Sequence, residues 1–460
     1  MASAAGVFIK RGSSIFIARS EGWVRVGIMR FGLSVGAALF LSILPSSADD
    51  TNLVREVREL REQNQLLQQQ LQQQGGLIQA LTEKVDGLKA AHADDAGGSP
   101  EAAATPTKGG FNLGRVNLSG EGGMAFFNTG EEGFAPHSEF RVDEMRLFVE
   151  APLGEEVYFY GGVDLATREN VNLSLYLDEL YLDAQDLSRV WGHDGQLNLR
   201  VGRLNIPFGE EYLSRYVIDD PLISHSLSDL WGTDPGVELY GTLGRFCYVL
   251  AVQNGSGANG VQDFDGDKSV TARLGYDPAR WLHLSVSGMR TGNLNVQQDS
   301  LSALWFGNGF FRSLGSPSTT TFHADLVEGD IKLRWPGGSV NAFGGYARYG
   351  DNDPAADNDR DIYYYSVEGV QHLTRKMYAA ARFSQIMADR GFPIVGYGNF
   401  GDYFFDGLTT ELWRLSLGMG YRFNNQILLK AEYSFERGRE SDGGARDRED
   451  FLGTEIAFKF

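Results

Sequence analysis

The last twelve residues of the chain, EDFLGTEIAFKF (Glu449–Phe460), alternate between apolar and polar side chains and end on an aromatic residue. Successive side chains of a strand point to opposite faces, so Leu452 and Ile456 share one face, and Glu455 and Lys459 share the other. This pattern predicts a strand that separates lipid from water, as in the wall of a transmembrane barrel. An edge strand of a soluble β-sandwich is the alternative.

The same alternation recurs in upstream segments, which makes the sandwich alternative less attractive. Residues 246–253, 270–276, 414–423 and 427–436 all alternate with period two, and Arg414, Arg422 and Lys430 fall on their polar faces. Ionised side chains cannot line a dry protein core at this density. The pattern therefore predicts an all-β transmembrane antiparallel β-barrel with a water-filled lumen.

The composition agrees with a protein that crosses a membrane by strands. The chain has 460 residues with 58 Gly, 29 Phe and 19 Tyr. After residue 48 no segment approaches the roughly 20 apolar residues of a membrane-spanning helix. The single cysteine, Cys247, excludes an intrachain disulfide and is expected to be a small wall residue. We predict no cofactor.

The first 48 residues have the features of a secretory signal peptide. An apolar run at 31–44 follows Arg25 and Arg30, and small residues at 45–48 offer a cleavage site. Met29 is the expected translation start, and a retained signal anchor is the alternative. The chain carries a net charge of −19, and residues 1–48 contribute +4, so the remainder carries −23. That charge excludes a general affinity for nucleic acid or for anionic surfaces.

Residues 49–91 are predicted to form a separate coiled coil, because their apolar residues follow a heptad repeat. The repeat places these residues at the a and d positions: Leu53, Val57, Leu60, Asn64, Leu67, Leu71, Gln74, Ile78, Leu81, Val85 and Leu88. Residues 92–110 are rich in Ala, Gly, Asp and Pro and are predicted to be a flexible linker.

Turn signals divide residues 111–460 into about sixteen strands. Seven short turns are expected, at 152–154, 186–195, 243–244, 277–279, 336–338, 373–374 and 424–425. Eight longer connections are expected between them, at 128–137, 168–173, 206–235, 254–267, 293–319, 350–361, 388–409 and 438–448. This alternation is typical of outer-membrane barrels and places both ends, and the coiled coil, in the periplasm. Fourteen or eighteen strands remain open.

Four segments carry a resemblance to a known family. VGRLNIPFGE (201–210) is similar to the G-[RQ]-x-x-x-P-F-G-x-E segment of the phosphate-selective porin O and P family, and the segments GTDPGVEL (232–239), FCYVLAVQNG (246–255) and DGDK (265–268) also resemble it. The resemblance covers about residues 111–460. It implies a trimeric, sixteen-stranded anion-conducting porin of the bacterial outer membrane. In that family's phosphate channels, basic residues are in excess in the lining of the lumen. In this chain, acidic residues match or outnumber basic residues. Asn64 at an a position favours a two-stranded coil, which conflicts with a trimer and is left open.

Alternation assigns charged residues of both signs to the lumen. The predicted pore-lining cations are Arg146, Arg200, Arg273, Lys332, Arg334, Arg382, Arg414, Arg422 and Lys430. The predicted inward acids are Asp164, Glu328, Asp330, Glu368, Glu432 and Glu436. A mixed lining discriminates weakly between ions. Each cation could instead stitch neighbouring strands together through carboxylates.

The third long connection, 206–235, is a candidate constriction loop. We expect Arg215 to face Asp219 or Asp220 across the pore; an external loop or a subunit-contact loop is the alternative. The acidic run at 263–267 could bind Ca²⁺ but lacks the distal glutamate of an EF-hand, so no metal site is predicted.

Three functions compete at this point. A porin for passive diffusion of small solutes, including anions such as phosphate, is favoured. A structural anchor that grips peptidoglycan through the coiled coil is the alternative. An enzyme is disfavoured, because the seven histidines are scattered and no G-x-S-x-G or H-E-x-x-H motif occurs. The expected partners are membrane lipid, small solutes and two further copies of the chain.

Overall fold

The computed structural model describes residues 111–113, 115–168, 175–255, 263, 266–297, 310–311, 319–353, 355 and 358–460. The predicted signal peptide (1–48), coiled coil (49–91) and linker (92–110) lie outside these residues. Short helical turns are present at Leu187–Trp191, Glu211–Ser214 and Asp402–Asp406. No helix of the described ranges is long and apolar enough to span a membrane.

Sixteen strands form the wall of the described part of the chain. In chain order they are β1 Val116–Thr129, β2 Glu139–Pro152, β3 Val157–Ala166, β4 Tyr176–Ala184, β5 Asn198–Asn205, β6 Thr233–Leu243, β7 Phe246–Gln253, β8 Ser269–Ala279, β9 Leu282–Arg290, β10 Thr321–Trp335, β11 Gly338–Asp351, β12 Arg360–His372, β13 Met377–Phe392, β14 Thr409–Arg422, β15 Ile427–Glu440 and β16 Phe451–Lys459. Short strands at Phe111–Leu113, Leu294–Asn295 and Ala445–Arg446 pair with β1, β10 and β15.

The sheet closes into a ring. Each strand pairs with its neighbours in the chain, and β16 pairs antiparallel with β1. Phe460 continues this seam, because its N–H donates to the carbonyl of Gly120 at 2.9 Å. Closure satisfies the backbone groups of both edge strands, as an apolar membrane requires. The predicted barrel of about sixteen strands is confirmed.

Short turns and long loops alternate around the ring, with one turn displaced from its predicted position. The turn expected at 277–279 is wrong, because β8 extends through Ala279 and the chain reverses at residues 280–281. The N–H of Asp277 donates to the carbonyl of Arg245 at 2.9 Å. This hydrogen bond extends β8 alongside the turn between β6 and β7.

Alternation along the strands separates an apolar outer face from a polar inner face. On β10, Val327 and Ile331 are 48% and 39% exposed on the outside, whereas Glu328 is 4% exposed on the inside. On β16, Leu452 is likewise exposed on the outside, and Glu455 is buried on the inside. A band of exposed apolar side chains around the whole ring suits hydrocarbon rather than water.

The wall is taller on one side than on the other. Strands β10–β15 have 13 to 16 residues each, whereas β4–β9 have 8 to 11. A tilted strand needs about 9–11 residues to cross the hydrocarbon core. The shortest strands of the low side therefore fall just below that length.

Candidate functional site: the lumen and its inward loop

Residues 206–232, between β5 and β6, lie inside the barrel and are called the inward loop. Its apolar residues Ile218 and Leu222 are each 1% exposed and pack against the inward-facing Tyr378 and Leu428. The loop was expected to extend to residue 235, but residues 233–235 begin β6.

Cations of the tall wall hold the inward loop through its main-chain carbonyls. The ammonium of Lys430 donates to the carbonyls of Val217 and Leu222, both at 2.9 Å. Two guanidinium groups make the equivalent contacts: Arg382 with Ser224 at 2.5 Å and Arg414 with His225 at 3.1 Å. Bonds from charged donors are stronger than those between neutral groups, so these three cations fix the course of the loop.

A carboxylate of the same wall accepts hydrogen bonds from main-chain N–H groups of the inward loop. Glu432 accepts the N–H of Ile223 at 2.6 Å and that of Ser224 at 2.9 Å. Glu432 is 2% exposed, so these bonds lie out of solvent. The wall thus presents cations to the loop carbonyls and an anion to its amides.

Strands β8 and β9 hold the base of the inward loop. Arg273 donates to the carbonyl of Gly209 at 2.6 Å and to the hydroxyl of Tyr212 at 3.1 Å. His283 shares a hydrogen bond of 2.7 Å with Glu210. Burial opposes ionisation, but the hydrogen bond and charge of the imidazole lower the pKa of Glu210 to about 2. The loop is therefore attached at separate parts of the ring and crosses the lumen.

His225 sits at the centre of an acidic cluster on the inward loop. Its Nδ1 lies 3.0 Å from Asp220, and its Nε2 lies 3.8 Å from Glu144 of β2. Burial disfavours the charged ring, but the charge of Asp229 and the bonds with Asp220 and Glu144 raise the pKa of His225 to about 9. The imidazole is therefore charged at neutral pH. The sequence did not single out this histidine.

The expected partner of Arg215 was wrong. Its Nε and Nη2 bind both oxygens of Asp229 at 2.9 and 2.7 Å, and its guanidinium lies 4.0 Å from the ring of Trp231. Asp219 is exposed, and Asp220 faces the wall instead. A bidentate carboxylate and an aromatic face in the same loop match the planar guanidinium better than a single opposing acid.

Among the described residues, ion pairs with carboxylates are seen for the following five of the predicted lumen cations. The pairs are Arg146–Asp164 at 3.1 Å, Arg200–Glu238 at 2.6 Å, Arg382–Asp220 at 3.1 Å, Arg414–Glu436 at 2.6 Å and Lys430–Glu455 at 2.7 Å. All five cations are buried. These contacts match the alternative interpretation, in which the cations join neighbouring parts of the structure through carboxylates.

The other predicted cations have different surroundings. Lys332, Arg334 and Arg422 have no carboxylate within 4.0 Å among the described residues. Arg334 is exposed at the mouth of the barrel, and Arg422 donates to the carbonyl of Ile218 at 3.5 Å. Lys332 lines a small cavity between the loop base and β10–β13, together with Glu210, Glu211, Asp330, Glu368 and Arg382.

A second loop, residues 393–408, also enters the lumen, which the sequence interpretation missed. The N–H of Tyr397 donates to Glu436 at 2.6 Å, and the guanidinium of Arg414 lies 3.6 Å from the Tyr397 ring. Gly396 has a φ of +61°, and a Cβ there would lie 2.3 Å from Glu436. The apolar content of GFPIVGYGNF (391–400) was the available signal, since an exposed loop would be more polar.

The described residues contain no cluster of three or more His, Cys, Asp or Glu side chains arranged to hold a metal ion. In the acidic run at 263–267, Asp263 pairs with Lys268, and Asp267 accepts from the side chain of Asn293 at 2.7 Å. Residues 264 and 265 lie outside the described set.

The fold is similar to solved outer-membrane proteins. The outer membrane channel DcaP of Acinetobacter baumannii matches with a TM-score of 0.51 and 14% identity, over 75% of this chain and 97% of that one. In-vitro folded OmpT, an outer membrane protein of Vibrio cholerae, matches with a TM-score of 0.50 and 13% identity, over 76% and 99%. No protein-family model and no curated protein matches the sequence. At these identities the similarity establishes the fold alone.

Proposed function

We propose that the protein is a porin of the bacterial outer membrane, through which small solutes and ions diffuse passively. The observation that carries the proposal is the closed wall with an apolar outer face and an ionised inner face. A sixteen-stranded barrel is wide enough to enclose an aqueous channel. The inward loop would narrow that channel without closing it. No catalytic role or cofactor forms part of the proposal.

The proposed channel discriminates weakly between anions and cations. The family resemblance favours anions such as phosphate, and Lys332 and Arg334 supply positive charge with no carboxylate within 4.0 Å among the described residues. The five ion pairs and the acids around Lys332 counteract that preference. Current through the purified protein in a planar bilayer tests the proposal, because a porin gives stepwise conductance. A small reversal potential in a KCl gradient and no competition by phosphate would support weak selectivity.

A structural anchor is the second candidate, and the filling of the lumen favours it. The inward loop and residues 393–408 both occupy the interior, and large apolar side chains such as Phe208, Tyr349 and Phe392 are fully buried there. In this case the coiled coil would hold peptidoglycan while the barrel stays closed. A closed anchor gives no conductance steps, and deletion of residues 49–91 would release the protein from purified peptidoglycan.

We also propose that the barrel is a homotrimer with its low side, β4–β9, at the subunit contacts. A contact there would cover β5 and β7, which have 8 residues each and fall just below the length needed to span the hydrocarbon core. The N-terminal coiled coil would lie in the periplasm. Chemical cross-linking in native membranes should give a three-chain species, and a ladder that ends at one chain would contradict this arrangement.

A further inference from the structure

An apolar groove crosses the outer face of the tall wall. Its volume is about 710 Å³. Leu417 and Tyr433 stand at its sides and are 46% and 40% exposed. Small outward-facing residues form its floor: Gly369, Ala379, Ala381 and Ala431. Most of the outer face carries large apolar side chains, so this run of small residues leaves a depression.

Trp335 closes the groove at the end where the short turns lie. Its indole N–H donates to the side chain of Gln371 at 3.1 Å, and the amide of Gln371 donates to the carbonyl of Gly337 at 2.9 Å. Trp335 is 43% exposed. A tryptophan held at this level suits the boundary between acyl chains and headgroups.

The short turn beneath the groove is basic. Arg375 and Lys376 lie in the turn between β12 and β13, and the turns at 336–337, 373–376 and 423–426 contain no acidic residue. Lys376 lies over the outward-facing ring of Tyr421, 5.9 Å from its centroid. By contrast, the turn at 153–156, between β2 and β3, carries two glutamates and no base. Short turns of outer-membrane barrels face the periplasm.

We propose that the groove binds an anionic phospholipid of the periplasmic leaflet. Its acyl chain would lie over Ala379, Ala381 and Ala431, and its phosphate would contact Arg375 and Lys376. The proposal relies on the outer-membrane location but not on conduction. A second copy related by a two-fold axis is the less suitable occupant, because it would bring the same two cations towards each other. The low side of the ring is better suited to subunit contact.

Brominated lipids test the proposal, because bromine on an acyl chain quenches nearby tryptophan fluorescence. The full chain is inserted into phosphatidylcholine vesicles that contain brominated phosphatidylglycerol or brominated phosphatidylcholine, each over the same series of mole fractions. The difference between the wild type and Trp335→Phe isolates the signal of Trp335. We expect phosphatidylglycerol to quench that signal at lower mole fraction. The double variant Arg375→Gln/Lys376→Gln should lose the preference, by about fivefold for each basic residue.

Two variants make the result specific to the groove. Ala381→Phe fills the floor from the lipid side and should reduce quenching by both lipids while the conductance stays unchanged. Arg280→Gln removes an exposed cation from the turn between β8 and β9 and should leave the preference intact. Equal quenching by the two lipids, or a preference that survives loss of Arg375 and Lys376, would overturn the proposal. So would concentration-dependent shielding of Trp335 by a second copy.

Discussion

The ammonium group of Lys430, on β15, lies 2.9 Å from the carbonyl oxygen of Val217, in the inward loop. The two residues are 213 positions apart in the chain, and Lys430 is 2% exposed. Its second partner, Glu455 of β16, lies at 2.7 Å. One buried cation thus joins two wall strands to the loop that crosses the lumen.

Lys430→Met should destabilise the loop more than the wall. The substitution leaves the Glu455 carboxylate and two loop carbonyls without their cation, and breaking a buried pair costs about 3–5 kcal/mol. Urea unfolding in lipid vesicles should show this loss, and limited proteolysis should cut within residues 206–232. Arg280→Gln, at an exposed turn, is the control. A protease pattern identical to the wild type would contradict the role of Lys430.

Arg382→Gln should shift ion selectivity towards cations. Arg382 neutralises Asp220 at 3.1 Å and also pairs with Glu368, so its loss exposes two negative charges in the lumen. The reversal potential in a KCl gradient measures this shift. The double variant Arg382→Gln/Glu368→Gln should return part of the way towards the wild-type value. If both variants match the wild type, permeating ions do not pass this part of the lumen.

The stability of the inward loop should fall at alkaline pH through His225. The pKa of this group is raised to about 9 from an ordinary value of about 6.5. Its stabilising charge is therefore fully present below about pH 6.5 and is lost as the pH rises to about 9. Asp220, Asp229 and Glu144 face the ring with Arg215 nearby, and they remain charged in this range.

Loss of this charge should lower the free energy of unfolding by no more than about 3 kcal/mol. The measurement is urea unfolding between pH 6 and pH 10. His225→Gln should lack this alkaline phase, whereas His193→Gln, in an exposed turn, should retain it. An alkaline loss of equal size in His225→Gln would assign the effect to another group.

Gly396→Ala should destabilise the second inward loop. The backbone at Gly396 is left-handed, which costs an alanine roughly 1–2 kcal/mol. The added Cβ would also lie 2.3 Å from Glu436 and 2.7 Å from Leu412. Gly244→Ala is the matched control, because its φ is +66° and a Cβ there meets nothing within 4 Å. Thermal unfolding should show a larger loss of stability in Gly396→Ala than in Gly244→Ala. Equal losses would mean that backbone strain, and not the contact with Glu436, causes the effect.

The strands of the wall could be predicted from the sequence, because the alternation of side chains and the turn residues are local features of the chain. Alternation at Leu452 and Glu455 fixes which face each side chain occupies, and turn residues such as 336–338 fix where strands reverse. The sixteen strands follow from these two signals. The turn after β8 was displaced because a backbone hydrogen bond between Asp277 and Arg245 extends the strand through Pro278 and Ala279.

The interior could not be predicted in the same way, because its contacts join distant residues. Alternation places Arg382 and Lys430 inside the ring but does not show that loop carbonyls and carboxylates bind them. Arg215 was expected to pair with Asp219 or Asp220, and the choice of Asp229 depends on the fold of the whole loop. The buried apolar residues at 217–218 and 222–223 were the best indication that this loop turns inward.

Two adjacent residues on opposite faces of β10 provide the sharpest test of a water-filled lumen. Ile331→Cys and Lys332→Cys are made in a Cys247→Ser background, and single-channel current is recorded in a planar bilayer. With a water-filled lumen, both variants should show stepwise conductance, and a charged thiol reagent should reduce the current of Lys332→Cys alone. Absence of steps, or equal sensitivity of the two variants, would contradict an aqueous pathway along the inner face of the barrel.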